Sequence, residues 1–244
     1  MAKMRKPPKI LKAVFDLQHR EDVRPRLPED QALDPQLAAL RDWQARRLAR
    51  TYADLLNDPE YAPACRFFLS EIYAARDFSQ RDASGEQLYR LLRRYLPDEM
   101  LRPLTEALAL NRLTNALDAD LLQALRSIGG AEAITGEAYA SAYRLCDNYE
   151  ERVNQIERIG AILREVGAGA RLPLVGFTLR AARLPARRAG WVELYDFLFR
   201  GYQAFQPMKD TGFFVDTIEQ RERLLLDRIY SRHPDPFSGI EPDE

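Results

Sequence analysis

The sequence predicts an all-α, single-domain bundle of about eight to ten helices. Three observations predict it. Apolar residues recur at intervals of three and four through the body of the chain, which is the period of a helix with one buried face. No run shows the alternation of a half-buried strand, and no Asn-Gly or Asp-Gly pair offers a hairpin turn. The gaps between periodic stretches carry proline, glycine or capping residues. A chain of 244 residues, 46% hydrophobic and 30% charged, can bury a core of this kind.

Residues 1–33 read as a mobile basic leader, with Lys3, Arg5, Lys6, Lys9 and Lys12 and one short helix at 9–18. Its apolar patch, Ile10 to Leu17, contains Lys12 and Asp16 and lacks a cleavage site, so it is not a secretory signal. Pro25 and Pro28 separate it from the helical domain, 34–232. Asp34-Pro35 starts the first helix, with a capping carboxylate followed by proline at the first helical position. Leu37, Leu40, Leu48, Tyr52 and Leu55 form its stripe, and Asn57-Asp58-Pro59 ends it. A second helix covers Tyr61 to Tyr73, and a third Gly85 to Leu96. Beyond Pro97-Asp98 comes a fourth, with Leu101, Leu104 and Leu108, and Leu117, Leu121 and Leu125 continue to Gly129-Gly130. Thr135 caps the helix of Tyr139, Ala142, Tyr143 and Cys146. Val153, Ile156, Leu163 and Val166 follow, up to a break at Gly167-Ala168-Gly169. Trp191, Tyr195, Leu198, Tyr202 and Phe205 make one further stripe, and Phe214, Ile218, Leu225 and Ile229 the last. Residues 233–244, with Pro234, Pro236 and Gly239, read as a disordered acidic tail.

The chemistry is bounded mostly by what the sequence lacks. Its two histidines, His19 and His233, lie in the terminal segments. Histidine is the usual general base near neutral pH and the commonest metal ligand. Ser–His catalysis and zinc or His-rich di-iron sites are therefore not expected, and no metal or cofactor is assigned. Asp147, Glu151, Glu157 and Glu165 lack the added histidine of a bundle metal site and read as a solvated acidic face. Cys65 and Cys146 stand far apart, which argues against a disulfide framework and for a reducing cytoplasm. A net charge of −1 gives no global field for nucleic acid. The longest apolar stretch, Leu172 to Ala186, contains Arg180 and Arg183 and is too short to span a bilayer.

Three segments carry candidate function. The stretch 66–82 offers a small polar site: Tyr73, Arg76, Asp77, Arg81 and Asp82, the arginines acting as anion clamps beside the carboxylates. The bland alternative is that Ser79 and Ser84 open capping boxes, Ser-Gln-Arg-Asp and Ser-Gly-Glu-Gln, and that Phe67 and Phe68 are core. The second segment, Arg164 to Arg188, is strongly basic, with Arg171, Arg180, Arg183, Arg187 and Arg188 among interleaved apolar residues. Within it, 171–188 reads as a helical hairpin whose arginines either meet an acidic protein, an anionic membrane surface or a phosphate-bearing ligand, or pair with the body's own carboxylates. Third, Tyr52, Tyr139, Tyr143, Tyr195 and Tyr202 lie on inward stripes. Their hydroxyls could line a pocket for an apolar small molecule with one polar end, or simply reach backbone carbonyls.

Phe67, Phe68, Glu71, Tyr73 and Asp77-Phe78-Ser79-Gln80-Arg81-Asp82 together resemble a run found in an uncharacterised family of bacterial helical proteins. The resemblance implies a helical body and brings no activity, ligand or catalytic residue. The leading expectation is a non-catalytic cytoplasmic binding or adaptor protein that uses the arginine-rich hairpin. The alternatives are a carrier or sensor with a tyrosine-lined pocket, and a histidine-independent enzyme working near 73–82.

Overall fold

The computed structural model describes residues 34–71, 98–188 and 192–238. They form an all-α domain of nine helices with no strand among the described residues. No described helix is long and apolar enough to cross a membrane. The expected helices at 9–18 and Gly85 to Leu96 lie outside the described residues.

Asp34 opens α1 (Pro35–Thr51), its carboxylate accepting from the Gln36 amide at 2.9 Å. Tyr52 leaves helical geometry at φ −115°, ψ 26°. The chain then resumes as the short α2 (Ala53–Asn57), so the single helix expected here is two. Next come α3 (Ala62–Glu71) and the 30-residue α4 (Asp98–Ser127), which continues through Leu117, Leu121 and Leu125 as the sequence predicts. Thr135 caps α5 (Gly136–Cys146) by accepting from the Ala138 amide at 3.2 Å, and Asp147 ends it in the left-handed region at φ 50°. The remaining helices are α6 (Tyr149–Ala170), α7 (Pro173–Arg188), α8 (Val192–Phe205) and α9 (Thr211–Tyr230). The Asp210 carboxylate caps α9, accepting from the Phe213 amide at 2.9 Å.

The core is split. One apolar cluster gathers Leu48, Leu55, Leu163, Phe205, Phe214 and Ile218, among others. The other gathers Leu40, Leu121, Leu125, Tyr139, Leu225 and Ile229. Helices α1 and α9 contribute to both clusters and so tie the halves together.

The break expected at Gly167 is absent, because α6 runs through it to Ala170. These glycines serve packing. A Cβ at Gly160 would meet Glu219 Oε1 at 1.6 Å, and one at Gly167 would meet Thr211 Cγ2 at 2.4 Å. Two turns apart, they let α6 approach α9 closely. Nor is 171–188 a hairpin. The turn lies at Arg171 and Leu172, and Pro173–Arg188 is one helix opened by proline at its first position. The tail also departs from expectation as far as Ser238. Phe237 sets its ring edge-on against Trp43 at 5.9 Å and tilted against Tyr139 at 6.3 Å, and Arg228 donates to the Ser238 carbonyl. Packing of one partly buried aromatic ring holds a segment whose composition reads as disordered.

Two predictions follow from this packing. Gly167→Val should destabilise the fold by about 1–3 kcal/mol, the usual penalty of overpacking. Gly169→Ala, where an added Cβ meets nothing within 4 Å, should instead raise the melting temperature, by about 0.5–1 kcal/mol of helix propensity. Thermal unfolding of the two variants checks the contrast.

The second concerns α9 and α2. Arg221 forks onto Asp54 with two contacts of 2.7 Å and donates to the Thr51 carbonyl at 2.7 Å. The Arg221 hydrogen bonds hold the Asp54 carboxyl below its ordinary range, against the upward pull of burial. A carboxyl whose folded pKa is depressed stabilises the fold above its unfolded value of about 3.9, and that contribution is lost as pH falls through the folded value. Asp54→Asn should therefore lower the melting temperature at neutral pH and flatten its decline below about pH 4.

Candidate functional site

A polar layer lies between the two apolar clusters. On α1, Gln44 and Arg47 fall between Leu40 and Leu48 of the buried face. Asp118 comes one turn before Leu122 on α4, and Glu222 falls between Ile218 and Leu226 on α9. On α6, Arg152 and Gln155 precede Ile156. Each helix thus gives one turn of its inward face to polar side chains. With Tyr52, Tyr139 and Tyr143 they line a largely enclosed chamber of about 70 Å³.

The charges in this layer are unequally matched. Arg47, 5% exposed, pairs with Glu222. That carboxylate also accepts from the Tyr52 hydroxyl at 2.8 Å. Burial works against the Arg47 cation, and the Glu222 charge and hydrogen bond, together with the Tyr139 and Tyr52 phenols, outweigh it, so its pKa is raised. Asp118 accepts from Arg41 Nε at 3.2 Å and from Gln44 Nε2 at 3.3 Å. Arg152, 4% exposed, has no carboxylate within ion-pair distance among the described residues. It donates to the Leu117 carbonyl at 3.0 Å and to Gln155 Oε1 at 3.3 Å, and its guanidinium lies 4.4 Å from the centre of the Tyr143 ring. Burial opposes its charge too, and the Tyr143 and Tyr139 phenols and the more distant Asp118 favour it. Three guanidinium groups, of Arg41, Arg47 and Arg152, therefore meet two carboxylates.

Four buried polar atoms of the layer have no hydrogen-bond partner: Arg47 Nε, Arg152 Nε, Gln44 Oε1 and the Tyr139 hydroxyl. The Tyr139 hydroxyl stands near Tyr143 but outside good hydrogen-bond geometry. Burial, then Tyr143, pushes its pKa well above the ordinary phenol value, so it stays a neutral donor. Cys65 also lines the chamber, its thiol pushed up to about 12 by burial, which leaves no thiolate at neutral pH.

The residues singled out in the sequence are distributed differently. Tyr52, Tyr139 and Tyr143 do meet at one pocket, where Arg47, Arg152 and Glu222 share the lining with apolar side chains such as Leu48, Ile156 and Phe214. Tyr195 and Tyr202 stack through Phe199 on α8, apart from it. Arg171 is no part of a free basic face, because it donates to the Lys209 carbonyl and to Thr211 Oγ1 at 3.3 Å, tying the start of α9. Arg180, Arg183, Arg187 and Arg188 are exposed on α7. Tyr73, Arg76, Asp77, Arg81 and Asp82 lie outside the described residues. Sequence reasoning passed over Gln44, Arg47, Asp118, Arg152, Gln155 and Glu222. The available signal was a gap in each stripe, a polar residue four positions from core leucines or isoleucines.

Glu222→Gln should cost about 3–5 kcal/mol, since it leaves a buried guanidinium uncompensated. Replacing both partners together, Arg47→Met with Glu222→Leu, should recover most of that loss. Denaturant unfolding of the single and double variants measures the difference.

A family model described as a domain of unknown function (DUF8198) matches residues 24–236. No curated protein and no solved structure matches the chain. The family match takes in every described helix that lines the chamber and ends one residue before Phe237. On that span, the chain belongs to the family of domains of unknown function DUF8198.

Proposed function

We propose that this protein is a non-catalytic cytoplasmic binding protein whose central chamber takes a small anion, a carboxylate in particular. The observation that carries this reading is Arg152: a buried guanidinium that, among the described residues, has no carboxylate beside it and an Nε left without a partner. A buried charge costs several kcal/mol unless paired, and a monovalent anion would supply the missing counter-charge. Size agrees. A water takes about 30 Å³ of liquid volume, so about 70 Å³ suits a group of a few heavy atoms. The guanidinium fork matches a carboxylate in two parallel hydrogen bonds, and the Tyr139 hydroxyl is a further donor on the same wall.

The test is a melting series with sodium formate, acetate and phosphate against a chloride background, on the protein and on Arg152→Met. A ligand at one hundred times its Kd stabilises by about 2.7 kcal/mol, several degrees for a domain of this size. We expect a carboxylate to give that rise. Arg152→Met should abolish it and should melt no lower than the parent, because an uncompensated buried charge has been removed. If no anion raises the melting temperature, or if the variant keeps the response or unfolds, Arg152 is a packing residue and the reading fails.

A further inference from the structure

We propose that α7 docks the domain onto an anionic lipid surface, laying its outer face in the headgroup plane. The inference stands apart from the chamber and would survive its failure. It begins with a contrast between helices. Many exposed arginines of the bundle are paired: Arg158 with Glu106, Arg164 with Asp216 and Glu219, Arg221 with Asp54, Arg223 with Glu157. On α7, Arg180, Arg183, Arg187 and Arg188 are all exposed, and none has a carboxylate within ion-pair distance among the described residues. The helix carries no acidic residue at all.

The apolar side chains on the same helix face two ways. Val175 and Leu179 pack against the cluster that holds Leu163 and Phe205. At Gly176 an added Cβ would lie 2.2 Å from the Tyr202 hydroxyl, so α7 seats directly on α8. Phe177 and Leu184 point the other way, 61% and 55% exposed, with Leu172 exposed just before the helix. Phe177 and Leu184 are seven positions apart, two turns along one stripe, about 10 Å at 1.5 Å per residue. Arg180 and Arg187 repeat the same spacing beside them, and Arg188 flanks the other side.

Two apolar side chains in line, bordered by arginines without an ion-pair partner among the described residues, make a linear array parallel to the helix axis. A plane of anionic headgroups matches that array, with guanidinium groups at the phosphates and Phe177 and Leu184 reaching the acyl boundary. An acidic protein would satisfy the charge and leave the exposed Phe177 unexplained, so lipid is the occupant the array favours.

Flotation with phosphatidylglycerol-containing vesicles and with pure phosphatidylcholine vesicles tests this on the full chain. We expect binding to the anionic vesicles, little to the neutral ones, and loss at about 1 M salt, where the screening length falls to about 3 Å. The triple variant Arg180→Gln, Arg183→Gln, Arg187→Gln should bind on the order of a hundredfold more weakly, with its melting temperature unchanged. The double variant Phe177→Ser, Leu184→Ser should bind about tenfold more weakly while keeping the salt dependence. Equal binding to both vesicle types, or undiminished binding by the triple variant, overturns the proposal. So does a double variant that binds as the parent does, because the face then reads charge alone and an acidic protein becomes its partner. A triple variant that loses several degrees of melting temperature also overturns it, since its arginines would be structural.

Discussion

The pairing of Arg47 with Glu222 sets the terms for the rest of the molecule. It joins α1 to α9, the two helices that serve both apolar clusters, at the level where those clusters part. A pair this buried adds little net stability over a hydrophobic substitute. What it adds is a constraint, because each partner must find the other or stand as a bare charge in a low-dielectric interior. The side chains around it obey the same rule: Tyr52 satisfies Glu222, while Gln44 and Arg41 satisfy Asp118. Arg152 does not comply, and that exception turns a structural layer into a candidate binding site.

The layer also shapes how the halves communicate. Apolar contact is local and forgiving, and each cluster can repack within itself. A polar layer has few acceptable arrangements, since every donor needs an acceptor. Helices α1, α4, α6 and α9 cross it, so a shift of charge inside the chamber reaches both halves through the positions of four helices.

Sequence periodicity made the fold legible because helical burial repeats every three to four residues whatever the tertiary arrangement. The caps at Asp34 and Thr135 were equally readable, being local chemistry between a side chain and amides two or three residues on. Glycine misled at 167–169. A glycine that ends a helix and one that admits a neighbouring helix look alike until Thr211 is placed against it. The site was illegible for a related reason. Arg47 and Glu222 are separated by 175 positions, and nothing local marks either as inward-facing except a missing leucine. Charged residues are read as solvated by default, and that default holds for Arg164 and Arg223 but not for Arg152.

Trp43 stacks on Tyr139 with ring centroids 4.2 Å apart, and Phe237 lies edge-on to Trp43 and tilted against Tyr139. Tyr139 turns its hydroxyl to the chamber while its ring belongs to this aromatic stack. The indole is thus one side chain removed from the chamber, on the side sealed by the returning C-terminal segment. Any change in the polarity or filling of that space alters the ring against which the indole rests, and through Phe237 the seating of the last described turn of chain. The molecule carries its own optical gauge, a fluorophore whose environment reports on the interior without a label.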